Sequence, residues 1–257
     1  MSTFYDLLEK KATNLETKDR IVYINGYDKC ESYSYKSIYE EVNFKLIYFS
    51  EDNEKARCMK RVYLVVNNSI ESIVMIIALL KCHFMPIIID SKAMFADNQL
   101  KFLPQLYLNQ PVPVDVEDEI KSALIENPES FASRKQEFES VLKESKFIET
   151  KYEKSEIPSY DPNKSQIVIC TSGSEGTKSH FVVLDEEKLV NNKNQYGEDN
   201  TTFLSYISCA NISGVLTNII NPLLHNTRAI LIDDFDINLL GSNHSKNTQN
   251  TGGSQAH

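Results

Sequence analysis

The sequence predicts an α/β fold that contains a parallel sheet. Residues 61–66, RVYLVV, form a continuous apolar run, as expected of a strand that is buried on both faces. An apolar helical stretch follows, NNSIESIVMIIALLKCHF, which begins at an Asn/Ser cap, and then a second apolar strand, MPIIID. The order strand, helix, strand is typical of a βαβ unit, in which both strands lie parallel in one sheet.

Four elements are predicted before this unit. Residues 3–13 have the apolar spacing of an amphipathic helix, with Thr3 or Ser2 as its cap. RIVYIN, residues 20–25, is rich in β-branched side chains and predicts a strand, and SYSY would form a second strand paired with it. Residues 36–50 repeat apolar side chains at helical spacing and predict the next helix.

The second half of the chain continues the alternation of strands and helices. The predicted elements are strands at QIVIC and HFVVL, a helix from Asp185, a strand at TTFLSYIS, a helix at GVLTNIINPLLH and a strand at RAILID. Residues 91–165 contain six prolines and a charged helical stretch, so we expect one or two surface helices there, with long connections. Residues 241–257 are polar and are predicted to be a disordered tail.

Composition excludes several classes of function. The chain of 257 residues is 41% hydrophobic and 25% charged, as globular domains are, and its net charge of −9 argues against a nucleic-acid surface. The longest apolar stretch, residues 73–80, is too short to span a bilayer, and the N-terminus does not resemble a signal peptide. The five cysteines are widely spaced, which predicts reduced thiols, a cytoplasmic location and no zinc site.

A glycine-bearing polar loop, TSGSEGTKS, lies between the two strands QIVIC and HFVVL. Loops of this kind allow backbone N–H groups to surround an anion, so the sequence predicts a phosphate site. The Walker A pattern fits poorly, because Ser172 stands where its first Gly belongs, Thr177 precedes Lys178, and a strand follows rather than a helix. A Ser/Gly hairpin without a ligand is a second alternative.

The loop and its flanks carry a family resemblance. TSGSEG resembles the start of the signature [ST]-S-G-[ST]-T-G-x-P-K-G of the adenylate-forming superfamily, which includes acyl-CoA synthetases, nonribosomal peptide adenylation domains and luciferases. VVLDEEKL, after the loop, resembles the family's V-x-L-[TS]-H-x-N-L. Two stretches upstream of the loop, ESYSYKSIYEEV and then the βαβ unit, resemble family segments that occur in the same order. Residues 203–240, downstream of the loop, also resemble a family segment. The resemblance covers about residues 1–240.

The resemblance implies a fold and a function. The fold would be the N-terminal core of an adenylate-forming enzyme, with mixed or parallel sheets flanked by helices, truncated and with one sheet layer missing. The family joins a carboxylic acid to ATP, with Mg²⁺, and passes the acyl group to a thiol such as coenzyme A or a carrier's pantetheine. The residues implied to bind phosphate are Thr171, Ser172, Gly173, Ser174, Gly176, Thr177 and Lys178. Asn211 and Gly214 are implied to border the acid.

Several departures from the family define the alternative function. Glu175 replaces a loop Thr, and a carboxylate about 4 Å from a phosphate charge costs on the order of 4 kcal/mol unless Mg²⁺ lies between them. Asn211 replaces the family's His, and a helix cap is the alternative role for this side chain. The adenine, ribose and C-terminal motifs do not follow Leu240. We therefore expect activity only within a larger or split enzyme; the alternative is a noncatalytic remnant or interaction module. Apolar surface left by the missing layer favours association, either as an oligomer or with a partner chain.

Overall fold

A computed structural model describes residues 2–25, 30–51, 60–91, 108–115, 156–171, 180–191 and 199–232. In this part of the chain the helices and strands alternate as predicted. Their bounds are α1 Phe4–Thr13, β1 Ile21–Asn25, β2 Glu31–Ser34, α2 Tyr35–Glu51, β3 Arg61–Val66, α3 Ile70–Lys81, β4 Met85–Asp90, β5 Pro111–Pro113, β6 Gln166–Thr171, β7 His180–Asp185, α4 Glu186–Asn191, β8 Thr202–Ser205, α5 Ile212–Val215, a π-helix Leu216–Ile220, α6 Asn221–His225 and β9 Arg228–Leu231. The predicted surface helices between β4 and β6 and the polar tail lie mainly outside the described residues.

The described strands form two sheets. The first has the order β2-β1-β9-β8, and the second has the order β5-β3-β4-β6-β7. In the second sheet, β3, β4 and β6 run parallel, whereas β5 and β7 pair antiparallel at its two sides. The α/β fold with mixed sheets flanked by helices is thus confirmed, as is the parallel βαβ unit of β3, α3 and β4.

Helix α3 is the most buried helix of the described chain. Its residues from Ile73 to Leu80 are all buried, and they belong to the core that α1, α2, β1 and β9 also line. Ser69 caps its first turn by accepting a hydrogen bond from the Ser72 N–H, as the Asn/Ser cap predicted. A second core, around Tyr63, Ile87 and Val168, covers the opposite face of the five-stranded sheet.

The C-terminal end of α3 has a left-handed residue that is not glycine. His83 has a φ of 61°. The N–H of His83 donates to the Leu80 carbonyl, and the N–H of Phe84 donates to the Leu79 carbonyl, which together form a Schellman motif. Phe84 is buried and packs edge-on against Phe49, with ring centroids 5.8 Å apart. Glycine is the usual residue at the position of His83, because it has no Cβ to strain.

Some predicted bounds need correction, and one strand was not predicted. Helix α4 begins at Glu186 rather than Asp185, which ends β7 and caps the helix by accepting from the Lys188 N–H at 3.4 Å. Strand β8 ends at Ser205, so TTFLSYIS is extended only in its first half. The short strand β5 was not predicted, because prolines occupy both of its ends; as an outer strand in the described sheet it tolerates the loss of N–H donors.

None of the helices in the described part of the chain has both the length and the apolarity needed to cross a bilayer. Four cysteines lie in this part, and all are free thiols: Cys30, Cys82, Cys170 and Cys209.

Candidate functional site

The predicted phosphate loop connects the two strands of a β-hairpin. Strands β6 and β7 pair antiparallel over their whole length, from Gln166 opposite Asp185 to Thr171 opposite His180. The strand–loop–strand context of the sequence motif is therefore confirmed. A Walker A loop must open a helix, and β7 follows here instead, so the P-loop alternative is excluded.

Most of the predicted phosphate-binding residues lie outside the described residues. Thr171 is the last residue of β6, and its backbone position is described. The other six lie beyond the described strands, so their role stays a prediction: Ser172, Gly173, Ser174, Gly176, Thr177 and Lys178.

The hairpin loop leaves the sheet at an edge where other strands also end. Because β3, β4 and β6 are parallel, their carboxyl ends, at Val66, Asp90 and Thr171, lie at the same edge of the sheet. The register places Val66 beside Asp90 and Ile88 beside Ile169. Ligands of open α/β sheets bind at the carboxyl ends of strands, so this edge is the place to look for a site.

A cavity of about 200 Å³ lies at this edge. Its lining comes from the turn between β3 and α3, from the end of β4 and from the segment after β8: Asn67, Asn68, Asp90, Tyr206, Ile207, Ser208 and Asn211. Of these residues only Asn211 was predicted from the sequence to lie at the site. The carboxyl ends of the apolar strands RVYLVV and MPIIID were the signal that could have identified the polar residues Asn67, Asn68 and Asp90.

Asn211 borders the cavity and also caps a helix. Its side-chain oxygen accepts a hydrogen bond from the Ser213 N–H at 2.9 Å, and its carbonyl accepts from the Val215 N–H at 3.0 Å. The cap predicted as an alternative role is thus confirmed.

Gly214 does not line the cavity but supports one of its walls. A Cβ built at this position would lie 1.9 Å from the carbonyl oxygen of Ser208, which is a cavity residue. The helix and the preceding turn can pack this closely because Gly214 has no side chain. Gly214 therefore holds the position of Ser208.

A buried polar network also holds the segment after β8 that forms this wall of the cavity. Asn218, in the π-helix, donates to Asn68 Oδ1 at 3.0 Å and to the Ile207 carbonyl at 2.8 Å. Asn68 in turn donates to the carbonyls of Ser205 and Ile232. The network joins the turn after β3 to the strands β8 and β9 of the other sheet. Single π-turns inside helices are frequent at functional sites.

The thiol beside the cavity is not a nucleophile at neutral pH. Cys209 is fully buried, and burial raises the pKa of its thiol to about 12. A thiol with this pKa stays protonated at pH 7, whereas reactive cysteines have a lowered pKa. Acyl transfer to Cys209 is therefore not expected.

The fold is similar to that of several solved enzymes. The fatty acid AMP ligase from Legionella pneumophila matches over 95% of this chain and 41% of its own, with 16% identity and a TM-score of 0.55. VinN in complex with L-aspartate matches over 94% of this chain and 59% of its own, with 13% identity and a TM-score of 0.52. The Klebsiella oxytoca NpsA N-terminal subdomain, in complex with 3-hydroxyanthranilyl-AMSN, matches over 96% of this chain and 58% of its own, with 13% identity and a TM-score of 0.50.

No family model matches the sequence, and no curated protein does. The structural likeness covers nearly all of this chain, but the chain spans only about two fifths to three fifths of the proteins it resembles. The chain thus has the fold of the N-terminal part of adenylate-forming enzymes, as the resemblance in its sequence implied.

Proposed function

We propose that this chain is the N-terminal part of a larger or split enzyme that activates a carboxylic acid with ATP. In this reaction a carboxylate oxygen of the acid attacks the α-phosphorus of ATP. An acyl–oxygen–phosphorus bond forms, the bond between the α-phosphorus and the bridging oxygen breaks, and pyrophosphate leaves. A thiol, from coenzyme A or a carrier's pantetheine, then displaces AMP from the acyl group. The enzyme would work in the cytoplasm, where thiols stay reduced.

One observation carries the proposal: the loop motif TSGSEGTKS connects the ends of the antiparallel strands β6 and β7. The motif was assigned from sequence, and the hairpin comes from the structure, so the two are separate supports. The loop begins at Thr171, at the same sheet edge as the cavity lined by Asp90 and Asn67. A phosphate site and an acid site at one edge are what the reaction needs, because the acid must reach the α-phosphorus.

The loop has the groups that a triphosphate requires. Backbone N–H groups between Ser172 and Thr177 would donate to phosphate oxygens, and the Lys178 ammonium would add a positive charge. Glu175 is the one acidic residue of the loop, and its negative charge would repel the phosphates. Mg²⁺, when bound with ATP, would neutralise charge between a carboxylate such as Glu175 and the phosphates.

The resembling proteins support the class of substrate. Solved complexes contain L-aspartate with VinN, and acyl adenylate and pyrophosphate with the fatty acyl-adenylate ligase from L. pneumophila. We extend only the general class to this chain: a carboxylic acid and ATP. The remaining parts of the reaction would come from sequence beyond the stretch that matches these proteins, in the same or another chain.

A second candidate is a noncatalytic module that keeps the fold without turnover. The observation that favours it is the helix cap at Asn211, which gives this residue a structural role where the family has a His. Under this candidate the cavity would be retained for shape and would not bind an acid.

Calorimetric titration of Mg-ATP into the whole chain separates the two candidates. We expect binding between micromolar and low millimolar concentration, weakened at least about tenfold in Lys178→Ala, because the loop loses its charge. The matched control is Lys36→Ala, which removes an exposed lysine of α2 that pairs with Glu40. If a folded chain gives no heat at several millimolar Mg-ATP, the noncatalytic module is the better account.

A further inference from the structure

Three buried polar atoms near the end of α6 have no hydrogen-bond partner in the part of the chain that the structure describes. They are Asn221 Oδ1 and His225 Nε2, both on α6, and Thr227 Oγ1, just before β9. Asn221 is 8% exposed and Thr227 is 2% exposed. Buried polar atoms in native proteins are nearly always hydrogen-bonded, either to the protein or to ordered water. Three such atoms within one short stretch of the chain therefore indicate a bound molecule.

The backbone brings these three groups to the junction between α6 and β9. Asn221 and His225 are four residues apart on the helix, a spacing that places their Cβ atoms about 6 Å apart on one face. Helical side chains point back toward the N-terminus of their helix, so the His225 ring is directed toward the turn that carries Asn221. Asn226, with a φ of 52°, ends the helix, and Thr227 follows it.

The donors and acceptors of the three groups match one water molecule. His225 Nδ1 lies 3.4 Å from Oδ1 of Asp199, and a carboxylate only accepts, so Nδ1 is the ring nitrogen that carries the proton. In the neutral ring Nε2 is then an acceptor, as is Asn221 Oδ1. Water has two O–H donors for these two acceptors, and its oxygen accepts from the Thr227 hydroxyl. Buried waters make about three hydrogen bonds on average.

An ion fits this junction less well than water does. The Lys11 ammonium group donates to the Pro222 carbonyl and to the Asn226 side chain, which belong to the residues next to Asn221 and His225. Its positive charge repels a metal cation. An anion is repelled by the two acceptor atoms, Oδ1 and Nε2.

We propose that one buried water molecule is bound at this junction, where it donates to His225 Nε2 and Asn221 Oδ1 and accepts from the Thr227 hydroxyl. The water joins the C-terminal end of the helix to the residue before β9. Gly214 and Asn218, which support the cavity wall, belong to the same run of helical residues. The water therefore holds the opposite end of the element that positions this wall, and the inference does not depend on the proposed function.

A high-resolution crystal structure of the whole chain tests the site directly. We expect one water oxygen within about 3.2 Å of all three atoms. Direct contact between the side chains of Asn221 and His225, an ion in place of the water, or no electron density between the three groups would overturn the inference.

Thermal unfolding of Thr227→Val measures whether the Thr227 hydroxyl is hydrogen-bonded. The variant has nearly the same shape and lacks only the hydroxyl. We expect it to lower Tm, because the water loses a donor. A raised Tm would contradict the inference, because it would show that the hydroxyl is buried without a partner. The matched control is Thr202→Val, at the exposed start of β8, which should leave Tm nearly unchanged.

A double-mutant cycle tests whether the same water contacts both elements. In urea unfolding, the effects of Thr227→Val and Asn221→Ala should be non-additive, since each removes a partner of one molecule. Additive effects would mean that the two side chains share no water, and they would reject the inference.

Discussion

Asn218 donates a hydrogen bond to Asn68 at 3.0 Å, and the two residues are 150 positions apart in the chain. Both are buried, and together they connect the turn after β3 to the segment after β8. The pair therefore sets the distance between two walls of the cavity. It also joins the two sheets through polar groups.

We predict that Asn218→Ala destabilises the chain by about 2–4 kcal/mol, because Asn68 Oδ1 and the Ile207 carbonyl lose a buried donor. Urea unfolding followed by circular dichroism measures the change. In a double-mutant cycle with Asn68→Ala, the two effects should be non-additive by about 1 kcal/mol or more. Additive effects would mean that the two side chains do not act as a unit.

Gly214→Ala should displace the turn that carries Ser208. The new Cβ would lie 1.9 Å from the Ser208 carbonyl oxygen, a backbone atom that cannot rotate away. We expect a loss of about 2–4 kcal/mol in the free energy of unfolding, as for other overpacked sites. Ser213→Ala, at the exposed neighbouring position of the same helix, is the matched control and should change stability by less than about 0.5 kcal/mol. Equal stability of the two variants would contradict the close packing.

His83→Gly should stabilise the chain. The φ of 61° at His83 is strained for a residue with a Cβ, and glycine relieves this strain at the end of α3. Relative to His83→Ala, which keeps the Cβ, His83→Gly should raise the free energy of unfolding by about 1 kcal/mol. Thermal unfolding of both variants checks the difference. A less stable glycine variant would contradict the left-handed conformation.

Lys11 should make the free energy of unfolding depend on pH, in a direction that follows from its lowered pKa. Its ammonium group donates to the Tyr35 hydroxyl and to the Pro222 carbonyl, and burial lowers its pKa from 10.5 to about 8. Between these two pKa values the unfolded state binds more protons than the folded state, so stability rises with pH over this range. Because Lys11 is partly in contact with solvent, which weakens the effect, the gain in the free energy of unfolding should be about 1–2 kcal/mol.

The comparison for this prediction is Lys11→Met, which keeps the aliphatic length and cannot titrate. From pH 8 to pH 10, the wild-type chain should gain free energy of unfolding relative to this variant, measured by urea unfolding at each pH. A relative loss over the same range would show that the pKa of Lys11 is raised in the folded state.

The fold was largely predictable from the sequence because most elements follow local rules. The cap at Ser69 and the apolar runs of β3 and β4 are features of neighbouring residues, and they predicted the βαβ unit correctly. Strand β5 was missed because Pro111 and Pro113 argue locally against a strand, whereas pairing with β3 decides the outcome.

The candidate site was less predictable than the fold. The loop motif is contiguous, so its strand–loop–strand context could be derived from neighbouring residues. The cavity is formed by residues that are distant in sequence, such as Asn67, Asp90 and Ser208. Only the arrangement of two sheets brings them together, and no local pattern contains that arrangement.

The measurement that tests the account most directly is one calorimetric series with Mg-ATP on three chains: wild type, Glu175→Thr and Lys178→Ala. Both substitutions change a single charge within the loop, in opposite directions. The account predicts that Lys178→Ala binds Mg-ATP about tenfold more weakly than the wild type, because the loop loses its positive charge, whereas Glu175→Thr changes the affinity much less, because Mg²⁺ neutralises the charge of the carboxylate. Equal affinities in all three chains, or no binding in any of them, would contradict the central claim that this loop binds the phosphates of ATP.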